Sequence, residues 1–173
     1  AALLVFLNAF FVAAEFAIVK VRSTRVQELV REGVRGSGAA QDAIQQLDAY
    51  LSATQLGITL ASLGLGWIGE PAFSSLVTPV LGSFGIWSEK VVHSISLTMA
   101  FATITFLHIV LGELAPKSLA IRRPEETSLL VAPPLQLFYR LFYPALWFLN
   151  ASSNWFLRQI SVAPASGTEL AHS

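Results

Sequence analysis

A chain of 173 residues with 54% hydrophobic and only 13% charged side chains lies outside the usual soluble mix of about 45–50% apolar and about 25% charged. Its mean hydropathy of +0.60 indicates a single membrane domain. Eleven basic against eleven acidic residues give no footprint for nucleic acid, and the absence of cysteine excludes disulfide frameworks and thiolate metal sites.

A bilayer-spanning helix needs roughly 20 mostly apolar residues. Residues 1–20 qualify, with Asn8 and Glu15 as the strongly polar members of residues 1–19. No signal peptide is visible, and the apolar start reads as that of a trimmed fragment. The stretch to residue 48 is polar and basic. Within it Val26, Leu29 and Val30 sit at helical spacing, which predicts a short amphipathic helix broken at Gly33, Gly36 and Gly38.

A second span is expected over residues 49–69. There Ala53, Gly57 and Ala61 recur at intervals of four, which lets helix backbones approach closely in lipid. Gly69-Glu70-Pro71 predicts its end, and the Gly, Pro and Ser clusters of residues 73–90, with Phe84 and Trp87, predict an interfacial loop. Residues 91–111 form the third expected span, closed by Gly112-Glu113-Leu114-Ala115-Pro116-Lys117. Residues 129–160 are apolar again but carry Pro133, Pro134, Arg140 and Pro144 and many aromatics. A juxtamembrane belt of short in-plane helices over about 124–160 is preferred to a kinked fourth span. Residues 164–173 read as a linker.

Orientation follows from the positive charges. Residues 20–35 carry five Lys or Arg, residues 68–90 carry one, and residues 117–123 carry three. The first and third polar stretches therefore face the cytoplasm. The N-terminus lies outside and the C-terminus in the cytoplasm of a multi-pass cell-membrane protein.

The 112–117 hexapeptide holds the chemistry. Pro116 has no N–H, so the Gly112 carbonyl four residues back loses its helical partner. A freed carbonyl beside the Glu113 carboxylate at membrane depth makes an oxygen-rich place for a metal cation, and ionisable residues in spans usually mark ion routes. Polar side chains on the other helices could complete it. Asn8 and Glu15 share a face of the first. Ser52, Gln55, Thr59 and Ser62 form a stripe on the second, as do Ser94, Thr98, Thr105, His108 and Gly112 on the third. Each has a plain structural reading too: hydroxyls bond their own backbone, Asn8 joins helices, Glu15 meets an arginine, His108 packs, and Lys117 neutralises Glu113 one turn away. Such oxygen donors suit Mg²⁺, Ca²⁺ or Na⁺, and spacing alone does not choose among them. His108 to Glu113 lacks the i, i+4 histidine pair of a zinc protease helix, so an enzyme is not expected.

At these residues the chain resembles the transmembrane domain of the CNNM/CorC magnesium-transporter family. The matching stretches are Asn8 to Ala17, Gln55 to Ser62 and Gly112 to Lys117, the last being the most specific. The resemblance implies a homodimer of three-span subunits in membrane lipid, with a Mg²⁺ site between the helices. It also implies alternating access that exports Mg²⁺, with Na⁺ as the candidate exchange ion and no covalent cofactor. ATP enters only through a cytoplasmic CBS-domain pair, which nothing in this chain matches. Carried over by residue, Glu113 and the Gly112 carbonyl match the third-helix ligands, Ser62 falls where many relatives have Asn, and Asn8 where many have Ser. Ile58 and Val12 replace polar or small residues of relatives, which leaves fewer oxygens. The expected ligands are then Glu113, Gly112, Ser62 and Asn8, supported by Pro116 as hinge, Lys117 as ion pair and Thr59. Two alternatives are a Na⁺- or Ca²⁺-selective carrier and a non-transporting anchor that relays cytoplasmic nucleotide binding.

Overall fold

The computed structural model describes the backbone of residues 1–83 and 89–159, and side chains within them except at 69–93 and 158. The described residues are all-α. In chain order they form α1 (Ala2–Lys20), α2 (Ser23–Arg31), α3 (Ser37–Gln45), α4 (Leu47–Ser83) and α5 (Glu89–Leu107). A π-helical segment (His108–Leu114), α6 (Ala115–Arg122) and α7 (Pro124–Gln159) follow. Among the described residues, three stretches are long and apolar enough to cross a membrane: Ala2–Lys20, Leu47–Ile68 and Ser94–Arg122.

Helix α1 is the hub, packed against α4, α6, α7 and the π segment. In lipid, association rests on close packing rather than on exclusion of water, and the residues on its contact face meet that need. Ala14 and Ala17 are fully buried, and Phe11 and Ile18 nearly so. Ala53 and Ala61 of α4 are buried as well, and between them Gly57 receives the ring of Phe11. That ring also meets Phe138 of α7 edge-on, with centroids 4.7 Å apart.

Three boundaries differ from the sequence expectation. The second helix does not end at Pro71, and residues 73–83 and 89–90, expected as loop, are helical. Phe84 and Trp87 lie outside the described residues. The third helix does not break at the hexapeptide but continues to Arg122. The belt expected as short helices is one continuous helix, α7, with Pro133, Pro134 and Pro144 inside it. The common cause is that a proline removes a single donor, whereas ending a helix in an apolar setting strands several backbone groups. The linker expected at 164–173 lies outside the described residues.

Helix α3 packs against α7, α1 and α4, and α2 and α3 pack against each other. Gly33 and Gly36 turn the chain between them with φ of 70° and 88°, as their position in the sequence predicts. A Cβ on Gly36 would also strike the Leu129 carbonyl of α7. Asp42 of α3 then ties three elements together. It accepts hydrogen bonds from Tyr50 Oη at 2.6 Å, Gln136 Nε2 at 3.0 Å and Gln46 Nε2 at 2.6 Å. These donors, the Tyr50 hydroxyl foremost, hold the Asp42 carboxyl below its ordinary pKa of 3.8. A depressed folded pKa stabilises fully above the unfolded value and is lost as pH falls through the folded one. Thermal stability of the wild type should therefore fall below about pH 4. Asp42→Asn should lose that part of the pH dependence while lowering stability at pH 7, read by melting temperature across pH 3–7.

Candidate cation site

The site begins with how the chain accommodates Pro116. An α-helix there would place the proline ring against the Gly112 carbonyl, with no N–H to offer it. The helix widens instead. Residues 108–114 are π-helical, and the Ala115 N–H donates to the Val110 carbonyl five residues back. The α-helix resumes with Pro116 in its first turn. Such single wide turns recur at functional sites, because they turn backbone groups out of the ladder.

The Gly112 carbonyl, buried on the inner face of this turn, accepts a hydrogen bond from Asn8 Nδ2 of α1 at 3.0 Å. Ser62 Oγ of α4 donates to Asn8 Oδ1 at 3.3 Å. Three of the four expected ligand residues, from three different helices, thus meet at one junction, with Asn8 only 3% exposed. A side chain at 112 would crowd the junction. A Cβ there would lie 2.8 Å from His108 Cδ2 and 3.3 Å from Asn8 Nδ2. Beside the junction is a cavity of about 140 Å³ lined by Ser62, Leu65, Phe101, Thr105 and His108, among others.

Glu113, the fourth, follows Gly112 on the turn, but its side chain is exposed and makes no hydrogen bond or ion pair among the described residues. The ion pair expected from Lys117 is not formed. Lys117 points towards α1, where its ammonium lies 4.5 Å from the centre of the Phe16 ring. A cation–π contact takes the place of charge neutralisation.

Thr59 is not at the junction either. Its hydroxyl donates to the Gln55 carbonyl at 2.8 Å, and it lines a groove of about 550 Å³ with Ser52, Gln55 and Asn150 of α7. The predicted stripe splits because 3.6 residues per turn leave Ser62 roughly 80° around the helix from Ser52. Glu15 meets Gln55, whose Nε2 donates to it at 3.0 Å, rather than an arginine.

His108 is the residue the sequence reading undervalued. Its Nε2 is buried with no hydrogen-bond partner among the described residues. The available signal was its position one turn before Gly112. Among the described residues no group of three or more His, Cys, Asp or Glu is placed to hold a metal. The donors gathered here are an amide, a hydroxyl and a backbone carbonyl, with one carboxylate adjacent. That chemistry suits a hard cation in transit better than a tightly held resident one.

Among the described residues, three apolar helices that enclose a polar junction define a multi-pass membrane domain. The chain belongs to the CNNM family: residues 1–173 match its model, described as the Cyclin M transmembrane N-terminal domain. This is a family of transporters and not of enzymes. The chain is 50% identical over 171 residues to the UPF0053 protein YrkA of Bacillus subtilis, covering 99% of this chain and 39% of that protein. It is 48% identical to the UPF0053 protein YhdT of the same organism, over 98% of this chain and 37% of the relative. It is also 38% identical to the uncharacterized protein Rv1841c of Mycobacterium tuberculosis, over 100% and 49% of the two chains. The chain thus spans less than half the length of these relatives.

Proposed function

We propose that this domain carries Mg²⁺ across the cell membrane by alternating access, in the export direction, with Na⁺ as the exchange ion. The observation that carries this reading is the junction itself. A carbonyl released by Pro116 accepts from the amide of Asn8, whose own oxygen accepts from the Ser62 hydroxyl of another span, next to an intramembrane carboxylate. Glu113, the Gly112 carbonyl, Ser62 and Asn8 are the ligands. Glu113 supplies charge, and the three neutral oxygens replace part of the hydration shell. Pro116 and the wide turn form the hinge on which Glu113 moves.

A homodimer supports this arrangement. Only 17% of the third span's most apolar stretch is buried within the chain, and Glu113 is exposed on that helix. A carboxylate facing lipid costs several kcal/mol, so a second copy or a water-filled vestibule between copies must cover it. The basic stretches at 20–35 and 117–123 support an orientation with the N-terminus outside and the C-terminus in the cytoplasm. Residues 1–163 are the transporting unit and 164–173 lead to a cytoplasmic CBS pair, through which ATP acts.

Flux measured in liposomes tests the reading. The protein should move Mg²⁺ in preference to Ca²⁺, and an opposed Na⁺ gradient should accelerate it. Movement of Na⁺ or Ca²⁺ in place of Mg²⁺ would make it a carrier of another selectivity. No ion flux from the full-length protein would make it an anchor for its cytoplasmic domains.

A further inference from the structure

The junction is closed against itself: Asn8 turns the positive end of its amide, the Nδ2 hydrogens, on the carbonyl that a cation needs. A cation at Gly112 would meet those hydrogens. For Asn8 to become a ligand its amide must turn so that Oδ1 faces the ion. Nδ2 then leaves Gly112 and, at a position only 3% exposed, needs another acceptor. A buried N–H left unpaired would cancel much of what the new Asn8–cation contact contributes.

The acceptor is already in place. His108 Nε2 is buried and unpartnered among the described residues. It lies 3.6 Å from the point where a Gly112 Cβ would sit, and Asn8 Nδ2 lies 3.3 Å from the same point. Both nitrogens therefore border the same space beside Gly112, without a hydrogen bond between them in this structure. A neutral imidazole with its proton on Nδ1 presents a lone pair at Nε2. The Ser62 hydroxyl, released from Asn8 Oδ1, turns its proton into the cavity that it lines with Thr105.

We infer that His108 is a positioning residue for cation loading: it takes the Asn8 amide from the Gly112 carbonyl when the ion arrives and returns it when the ion leaves. This rests on the Mg²⁺ reading above and adds to it a two-position amide latch. Gly112 serves the latch twice, as the carbonyl handed over and as the gap through which Asn8 and His108 meet. An orphaned nitrogen, unfavourable in the empty state, is what the loaded state satisfies.

Mg²⁺ calorimetry on the protein in lipid nanodiscs tests the inference. His108→Leu, which keeps bulk and removes the acceptor, should bind Mg²⁺ roughly 10-fold more weakly. His108→Gln, which returns an acceptor at the same reach, should stay near wild type. Nitrogen-15 spectra of the wild type, with signals assigned by replacing His93 and His172, give a readout that needs no variant at 108. The unprotonated Nε2 signal should move upfield on Mg²⁺ addition as it accepts a hydrogen bond. An unmoved Nε2 signal, or Leu binding as well as wild type, overturns the latch while leaving the Mg²⁺ site standing. A selective loss of Ni²⁺ over Mg²⁺ binding in His108→Gln would make the imidazole a direct ligand and also overturn it. A wild type that binds no Mg²⁺ removes the loaded state, and with it both the transport reading and the latch.

Discussion

Glu113→Gln is expected to weaken Mg²⁺ binding by roughly 100-fold or more, the scale of losing a charge-assisted contact to a desolvated ion, while the melting temperature stays near wild type. The two expectations come from the same geometry. The Glu113 side chain is exposed and makes no hydrogen bond or ion pair among the described residues, so the empty fold does not depend on its charge. Asn8→Ala differs, because it removes the hydrogen bonds to both Gly112 and Ser62 and should lower stability and affinity together. Lys117→Met provides the control. With its ammonium over Phe16 rather than beside Glu113, Lys117 does not neutralise the carboxylate, and its loss should leave Mg²⁺ affinity within about threefold of wild type. Calorimetry separates these outcomes. Unchanged affinity in Glu113→Gln would sink the site assignment.

The apolar runs announced the first span to within a residue and the start of the second to within two, because a stretch of 20 apolar residues has few other uses. What the runs did not reveal is how proline behaves inside them. Pro71, Pro116 and the three prolines in the interior of α7 all read as stops, yet all lie within helices. Local propensity is measured against water, which satisfies a stranded backbone group; packed apolar surroundings do not, so the helix continues and deforms instead. The junction was legible in part for a related reason. Asn8, Ser62 and Gly112 stood out as the polar or small residues of otherwise apolar helices. The face that each presents depends on phase, and there the stripe through Ser52 and Thr59 misled, since a drift of one residue in register separates groove from junction. His108 was the hardest to see, because an orphaned nitrogen is a property of the packed site and of no spacing.

Gly57→Ala is expected to lower both stability and ion affinity, and the reason is the path from packing to site. A Cβ at Gly57 would lie 2.5 Å from three ring atoms of Phe11, closer than side-chain carbons pack. The ring has nowhere to go. It is only 6% exposed, held edge-on by Phe10 at 5.1 Å and Phe138 at 4.7 Å. Overpacking of this kind costs about 1–3 kcal/mol, and relief comes by pushing α1 away from α4. Asn8 lies one turn from Phe11 on that same face, where it meets both Ser62 of α4 and Gly112 of the wide turn. A displacement that relieves Phe11 therefore stretches the Asn8–Ser62 contact, already 3.3 Å long. Phe11→Leu in the Gly57→Ala background should recover part of both losses, because the smaller side chain vacates the space that the new methyl takes. A double-mutant cycle read by melting temperature and by Mg²⁺ affinity measures this directly. Coupling in stability without coupling in affinity would show that the spacing of α1 and α4 does not control the ion site, and that Asn8 holds its place through the wide turn alone.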